Sequence, residues 1–231
     1  MQRADYAGSF GRYDTVEKRA QFISRTYNHL FGAIVAFALI EVALFQLGLA
    51  GPIASAMLGG SWLLVLGAFM VVSWIATHVA HSSASRPAQY AALGGYVLAQ
   101  AIIFVPLLYV ANHMAPGVIS SAALVTFTGF AGLTGVAFYT RKDFSFLRGI
   151  LLWGGVSAFV LIIAGAIFGF QLGTFFSVAM VAFAGAAILY DTSNVLHHFP
   201  EDRYVGASLQ LFASVALLFW YILRLFMSAR R

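Results

Sequence analysis

Apolar residues in this chain come in long continuous runs, not in strict alternation. Seven stretches can be read: Tyr27–Ala50, Ile53–Val79, Ala88–Val110, Val118–Tyr139, Leu147–Phe170, Thr174–Val195 and Gly206–Met227. Each reaches the roughly 20 residues a helix needs to cross the hydrocarbon core of a bilayer. The strands of a membrane barrel would be about half as long and would alternate. In lipid the backbone must satisfy its own polar groups, and continuous runs of this length do so as helices. The pattern predicts an all-α polytopic membrane bundle of about seven transmembrane helices. Residues 1–25 read as a polar N-tail and residues 26–231 as the seven-span membrane domain.

The connections between runs alternate in charge. The N-tail carries Arg3, Arg12, Lys18, Arg19 and Arg25. Arg86 lies between runs 2 and 3, Arg141, Lys142 and Arg148 between runs 4 and 5, and Arg203 between runs 6 and 7. The other three connections have no Lys or Arg. Basic residues gather in cytoplasmic loops, so the alternation predicts a cytoplasmic N-terminus. Seven spans then put the C-terminus outside, against the basic pair Arg230–Arg231. A full seventh span is preferred to a re-entrant one.

Composition agrees with this reading. The 231 residues are 61% hydrophobic and 9% charged, with mean hydropathy +0.87; soluble domains are about 25% charged. The net charge of +5 belongs to the short loops, so it needs no nucleic-acid partner, and the expected surroundings are a lipid bilayer. Cysteine is absent, which removes disulfides and thiolate metal sites. The polar stretch Met1–Arg25 lacks the apolar core and cleavage site of a secretory signal. A bacterial inner (plasma) membrane suits these features.

Small residues suggest where helices approach closely. Gly129, Gly132 and Gly135 recur every three residues in run 4, and Gly165 and Gly169 form a small-xxx-small pair in run 5. Pro106 is expected to bend run 3.

Three ionisable residues fall inside the spans: Glu41, Asp191 and Arg224. Each costs roughly 2.5–3.5 kcal/mol at a helix centre, so each needs a partner or a task. At 1.5 Å per residue, Glu41 lies roughly 21 Å from the start of span 1 and Arg224 roughly 27 Å from the start of span 7. Similar depth predicts an intramembrane Glu41–Arg224 ion pair. Asp191 lies near the cytoplasmic end of span 6, with His78 and Ser214 at comparable depth. A carboxylate there can bind a hard cation, so Asp191, Ser214 and His78 are the candidate ion pathway and pH gate. Gln46 and Gln100 read as interhelical hydrogen bonders. His78 and His81 alone make a poor metal site, and no metal ligands or cofactors are expected beyond transient Ca²⁺. No His-Glu-x-x-His, Gly-x-Ser-x-Gly or phosphate-binding glycine loop occurs, so no catalytic residue is assigned and an enzyme is not expected.

The run Thr140-Arg141-Lys142-Asp143-Phe144-Ser145-Phe146, the segment Leu189-Tyr190-Asp191-Thr192 and the closing stretch Leu217–Leu225 resemble the Bax inhibitor-1 / YccA family of seven-span membrane proteins. The likeness extends from about Thr26 to the end. The resemblance implies a central last helix wrapped by the other six. It also implies a pH-sensitive calcium leak gated by two aspartates, in spans 6 and 7, that share a proton, and an intramembrane Glu–Arg pair. Asp191 matches the first aspartate. Ser214 stands where the second would be, and an Asp–Ser pair cannot share a proton as two carboxylates do. A serine there is similar to the YccA branch, which the resemblance links to modulation of the membrane protease FtsH. Two functional classes follow: a calcium or cation leak pathway, and a non-catalytic regulator of a membrane quality-control protease bound through the N-tail.

Overall fold

The computed structural model describes residues 2–60, 62–83, 85–114 and 116–229, with side chains from residue 16 onward apart from Trp62. The tail Arg230–Arg231 and the side chains of Arg3 and Arg12 lie outside this set. Eight helices follow in order: α1 (Gln2–Gln46), α2 (Ala50–Gly59), α3 (Trp62–Ser82), α4 (Arg86–Met114), α5 (Val118–Thr140), α6 (Leu147–Phe168), α7 (Gly173–His197) and α8 (Tyr204–Ser228). Seven contain a stretch long and apolar enough to span a membrane, and α2 is too short. The described residues contain no strand. The predicted fold class therefore holds.

The expected second run is not one helix. It divides at Gly59–Gly60 into α2 and α3, with Gly60 extended at φ −95°, ψ −173°. Consecutive glycines gain little from helix formation and lose the most backbone freedom, an effect that mean hydropathy does not register. At the front of the same run, Gly48 adopts φ +70°, so α1 stops at Gln46 instead of reaching Ala50. At its other end α1 is helical well before Tyr27.

The interior is shared by two helices. α8 packs against α1, α3, α4, α5 and α7, while α4 packs against α1, α2, α3, α5 and α8. The apolar window of α4 is 61% buried and that of α8 50%, against 22% or less for every other span. Among the described residues α6 meets only α7 and α3 and shows most of its surface outward. Pro106 is buried inside α4, which stays helical through it.

The glycine pattern has a different meaning from the one expected. A Cβ on Gly132 or Gly135 would meet nothing within 4 Å, and one on Gly129 would make only ordinary contact with Leu218 at 3.8 Å. Gly169 is the left-handed cap of α6 at φ +74°, and its N–H donates to the Gly165 carbonyl at 2.9 Å. That pair ends a helix and does not seal two together. The close approach lies at Gly206, where α8 crosses α3.

Both ends of the bundle can be told apart by their polar ties. At the end formed by the basic connections, Arg19 Nε donates to the Leu196 carbonyl at 3.1 Å and Nη1 to that of Phe199 at 2.5 Å. Arg203 and Gln89 both donate to the Ser83 carbonyl. The His198 ring N–H donates to Asp143 at 3.0 Å, and Ser193 Oγ accepts the Phe144 N–H at 2.9 Å. The Arg86 guanidinium sits 4.6 Å from the Tyr204 ring centre, and the Tyr204 and Tyr90 hydroxyls are 3.0 Å apart. The run 140–146 is thus a loop clasped to the end of α7. Asp143 lies outside the spans. The Ser145 backbone N–H, and then the His198 side chain, hold its carboxyl below the usual carboxylate range.

Candidate functional site

Asp191 is 4% exposed, on the face of α7 that meets α8. Ser214 Oγ donates to its Oδ2 at 2.5 Å, and Gln210 Nε2 donates to its Oδ1 at 2.5 Å. Both oxygens are therefore bonded across one helix–helix seam. Short bonds to a carboxylate are the stronger class of hydrogen bond. Sequence reasoning brought Asp191 to Ser214 but overlooked Gln210. The signal was present: Gln210 and Ser214 are spaced i, i+4 and so share a face of α8. His78 does not join them. It is exposed on α3 and stacks on Trp74 at 5.8 Å, so it is no part of this cluster. Position along the span does not tell which face of α3 the ring lies on.

Beside Asp191 the hydroxyls of Tyr27, Thr134 and Thr192 are grouped. All three oxygens are buried, and the Tyr27 hydroxyl has those of Thr192 and Thr134 as its neighbours. Buried polar atoms are satisfied by such neighbours, and the cluster puts three hydroxyls next to the Asp191 carboxylate.

A cavity of about 820 Å³ enters the bundle from the opposite end. Gln171, Arg224 and Ser228 lie at its rim side, and Gln100, Ala216, Leu217 and Phe104 line its inner part. Along α8, Gln210, Ser214, Leu217, Tyr221 and Arg224 are spaced by four, three, four and three residues, so they lie on one helical face. That face carries first the Asp191 latch, then the inner wall of the cavity, then a cation. Gln100 is buried, and its Oε1, on the cavity wall, has no hydrogen-bond partner.

The expected Glu41–Arg224 pair is not formed. Both Glu41 oxygens are buried without a hydrogen-bond partner, and no ion pair joins the two residues among those described. Glu41 faces a second cavity whose α8 wall is Phe212, Val215, Ala216 and Phe219. Arg224 lies five residues past Phe219, about 140° further round the helix at 3.6 residues per turn. Its guanidinium instead lies over the Tyr221 ring, 5.9 Å from the centre, facing the large cavity. Among the described residues no three His, Cys, Asp or Glu side chains are gathered as a metal site would need.

A buried carboxylate bonded between the last two of seven spans, with the closing helix inside the bundle, defines a class of helical membrane protein. The chain belongs to the Bax inhibitor family: the model described as "Inhibitor of apoptosis-promoting Bax1" matches residues 19–231. It is 32% identical to Bax inhibitor 1 of Schizosaccharomyces pombe over 141 residues, 59% of this chain and 48% of that protein. It is 36% identical to the uncharacterized protein PA2604 of Pseudomonas aeruginosa over 112 residues, 47% of this chain and 49% of that one. The matches thus span about half the length of these two relatives. A third relative, PM0402 of Pasteurella multocida, is 26% identical over 193 residues, 80% of this chain and 77% of its own.

Proposed function

We propose that the protein is a passive cation leak, conducting Ca²⁺ slowly between the large cavity and the clasped end of the bundle, with Asp191 as the cation-facing group. The carrying observation is that one face of α8 joins the cavity to the Asp191–Ser214–Gln210 latch. The buried hydroxyls of Tyr27, Thr134 and Thr192, grouped beside Asp191, add polar surface next to the latch. Closed, the path is blocked because Asp191 spends both oxygens on α8. Opening means exchanging those two donors for a hydrated cation, to which a carboxylate is a natural ligand. Arg224 in the cavity wall repels cations and keeps the flux small.

The single serine at position 214 weakens any gate that depends on two carboxylates, so the protease-regulator reading stays as the second proposal. What favours it is that the polar stretch ahead of Tyr27 continues α1 as helix.

Purified protein reconstituted in vesicles loaded with a Ca²⁺ dye tests the first proposal. Flux above empty vesicles, altered by Asp191→Asn, is expected. Flux equal to empty vesicles, or unchanged by Asp191→Asn, overturns it. Co-purification with a membrane protease, lost on deleting residues 1–20, tests the second; binding that survives the deletion overturns it.

A further inference from the structure

Glu41 is unused by this pathway. The residue is 6% exposed, and neither carboxyl oxygen has a hydrogen-bond partner among the described residues. It lines a cavity of about 260 Å³ between α1, α4, α5 and α8. The other walls are apolar apart from Thr126, whose hydroxyl already donates to the Ala122 carbonyl at 2.7 Å. No other ionisable residue lines the space. Glu41 is five residues from the end of α1, about 7.5 Å at 1.5 Å per residue, so an occupant can reach it without crossing the whole bilayer.

An ionised group in such surroundings is tolerated only with a counter-charge, and none lies against Glu41 among the described residues. We propose that this cavity binds an apolar molecule bearing one ammonium group, with Glu41 as the counter-ion and the Phe37, Phe127, Phe212 and Phe219 surfaces enclosing the apolar body. The aromatic walls add attraction for the cation through their ring faces. The volume falls just below the roughly 300–1,000 Å³ of drug-sized ligand sites and suits a compact amine. The ammonium can belong to a free lipophilic amine or to the head group of an aminophospholipid.

The test uses the full chain in phosphatidylglycerol nanodiscs, with 1-aminoadamantane as probe and 1-adamantanol as its uncharged counterpart. The amine should raise the thermal midpoint by roughly 3 °C or more, the alcohol should not, and Glu41→Gln should abolish the rise. Ala123→Leu, which fills the cavity from α5, should abolish it too while leaving the unliganded midpoint intact. A second arm replaces half the lipid with phosphatidylethanolamine. A Glu41-dependent rise there with no response to the probe assigns the site to the lipid head group; a response to the probe assigns it to a free amine. No Glu41-dependent rise in either arm, or an equal rise in Glu41→Gln, overturns the proposal.

Discussion

A methyl group added to Gly206 would stand 2.8 Å from the carbonyl oxygen of Ala80. The obstacle is backbone, so no side chain can swing aside, and α8 and α3 would have to separate. Overpacking of this kind costs about 1–3 kcal/mol. Gly206→Ala should therefore lower the thermal midpoint clearly. Gly132→Ala, where a Cβ meets nothing within 4 Å, should leave it level or raise it, since alanine favours the helix. Equal midpoints for the two variants would remove the claim that α8 is seated through Gly206.

The contrast between these glycines explains what could be read from the chain. Hydropathy and length reveal seven spans because lipid imposes both on any helix that crosses it. Gly129, Gly132 and Gly135 attracted attention by their spacing, yet spacing does not tell which face of a helix meets a neighbour. Gly206 stands without a small partner three or four residues away on its contact face and gives no such pattern. The same blindness to direction misplaced His78 and joined Glu41 to Arg224. Depth is linear in residue number, whereas facing depends on where each helix packs. Asp191 and Ser214 meet because α7 and α8 are consecutive helices packed together, which fixes depth and neighbourhood at once.

Glu41 and Arg224 should behave as independent sites. They face different cavities and share no bond, and distant sites without common partners add within about 0.3–0.5 kcal/mol. Thermal unfolding of Glu41→Gln, Arg224→Gln and the double variant measures this. Coupling well beyond that limit would mean that the two residues meet in a state the structure does not contain.

The Asp143–His198 tie should be lost in acid. Asp143 has a lowered folded-state pKa, from the Ser145 N–H and then His198. Its stabilising effect is therefore present above the unfolded carboxylate value of about 3.9 and fades as pH falls through the lower folded value. Asp143→Asn should melt below the parent at pH 5–7, and the gap should close as the pH drops to about 3. The residue is exposed, so the gap will be small. A gap that widens in acid would contradict the assigned partners.

The latch on Asp191 makes the sharpest demand. Ser214→Ala removes the donor to Oδ2, and Gln210→Leu removes the donor to Oδ1. Hydrogen bonds to a charged group are worth about 1.5–3 kcal/mol each, so each variant should lower the midpoint. Because the same bonds hold α7 to α8, each should also raise Ca²⁺ flux in dye-loaded vesicles, and the two together should raise it further. Stability and flux must move in opposite directions if the bonds are what closes the path. A variant that loses stability with unchanged flux would leave Ser214 and Gln210 as packing residues only. One that loses both would place them in the conducting route and not in its closure.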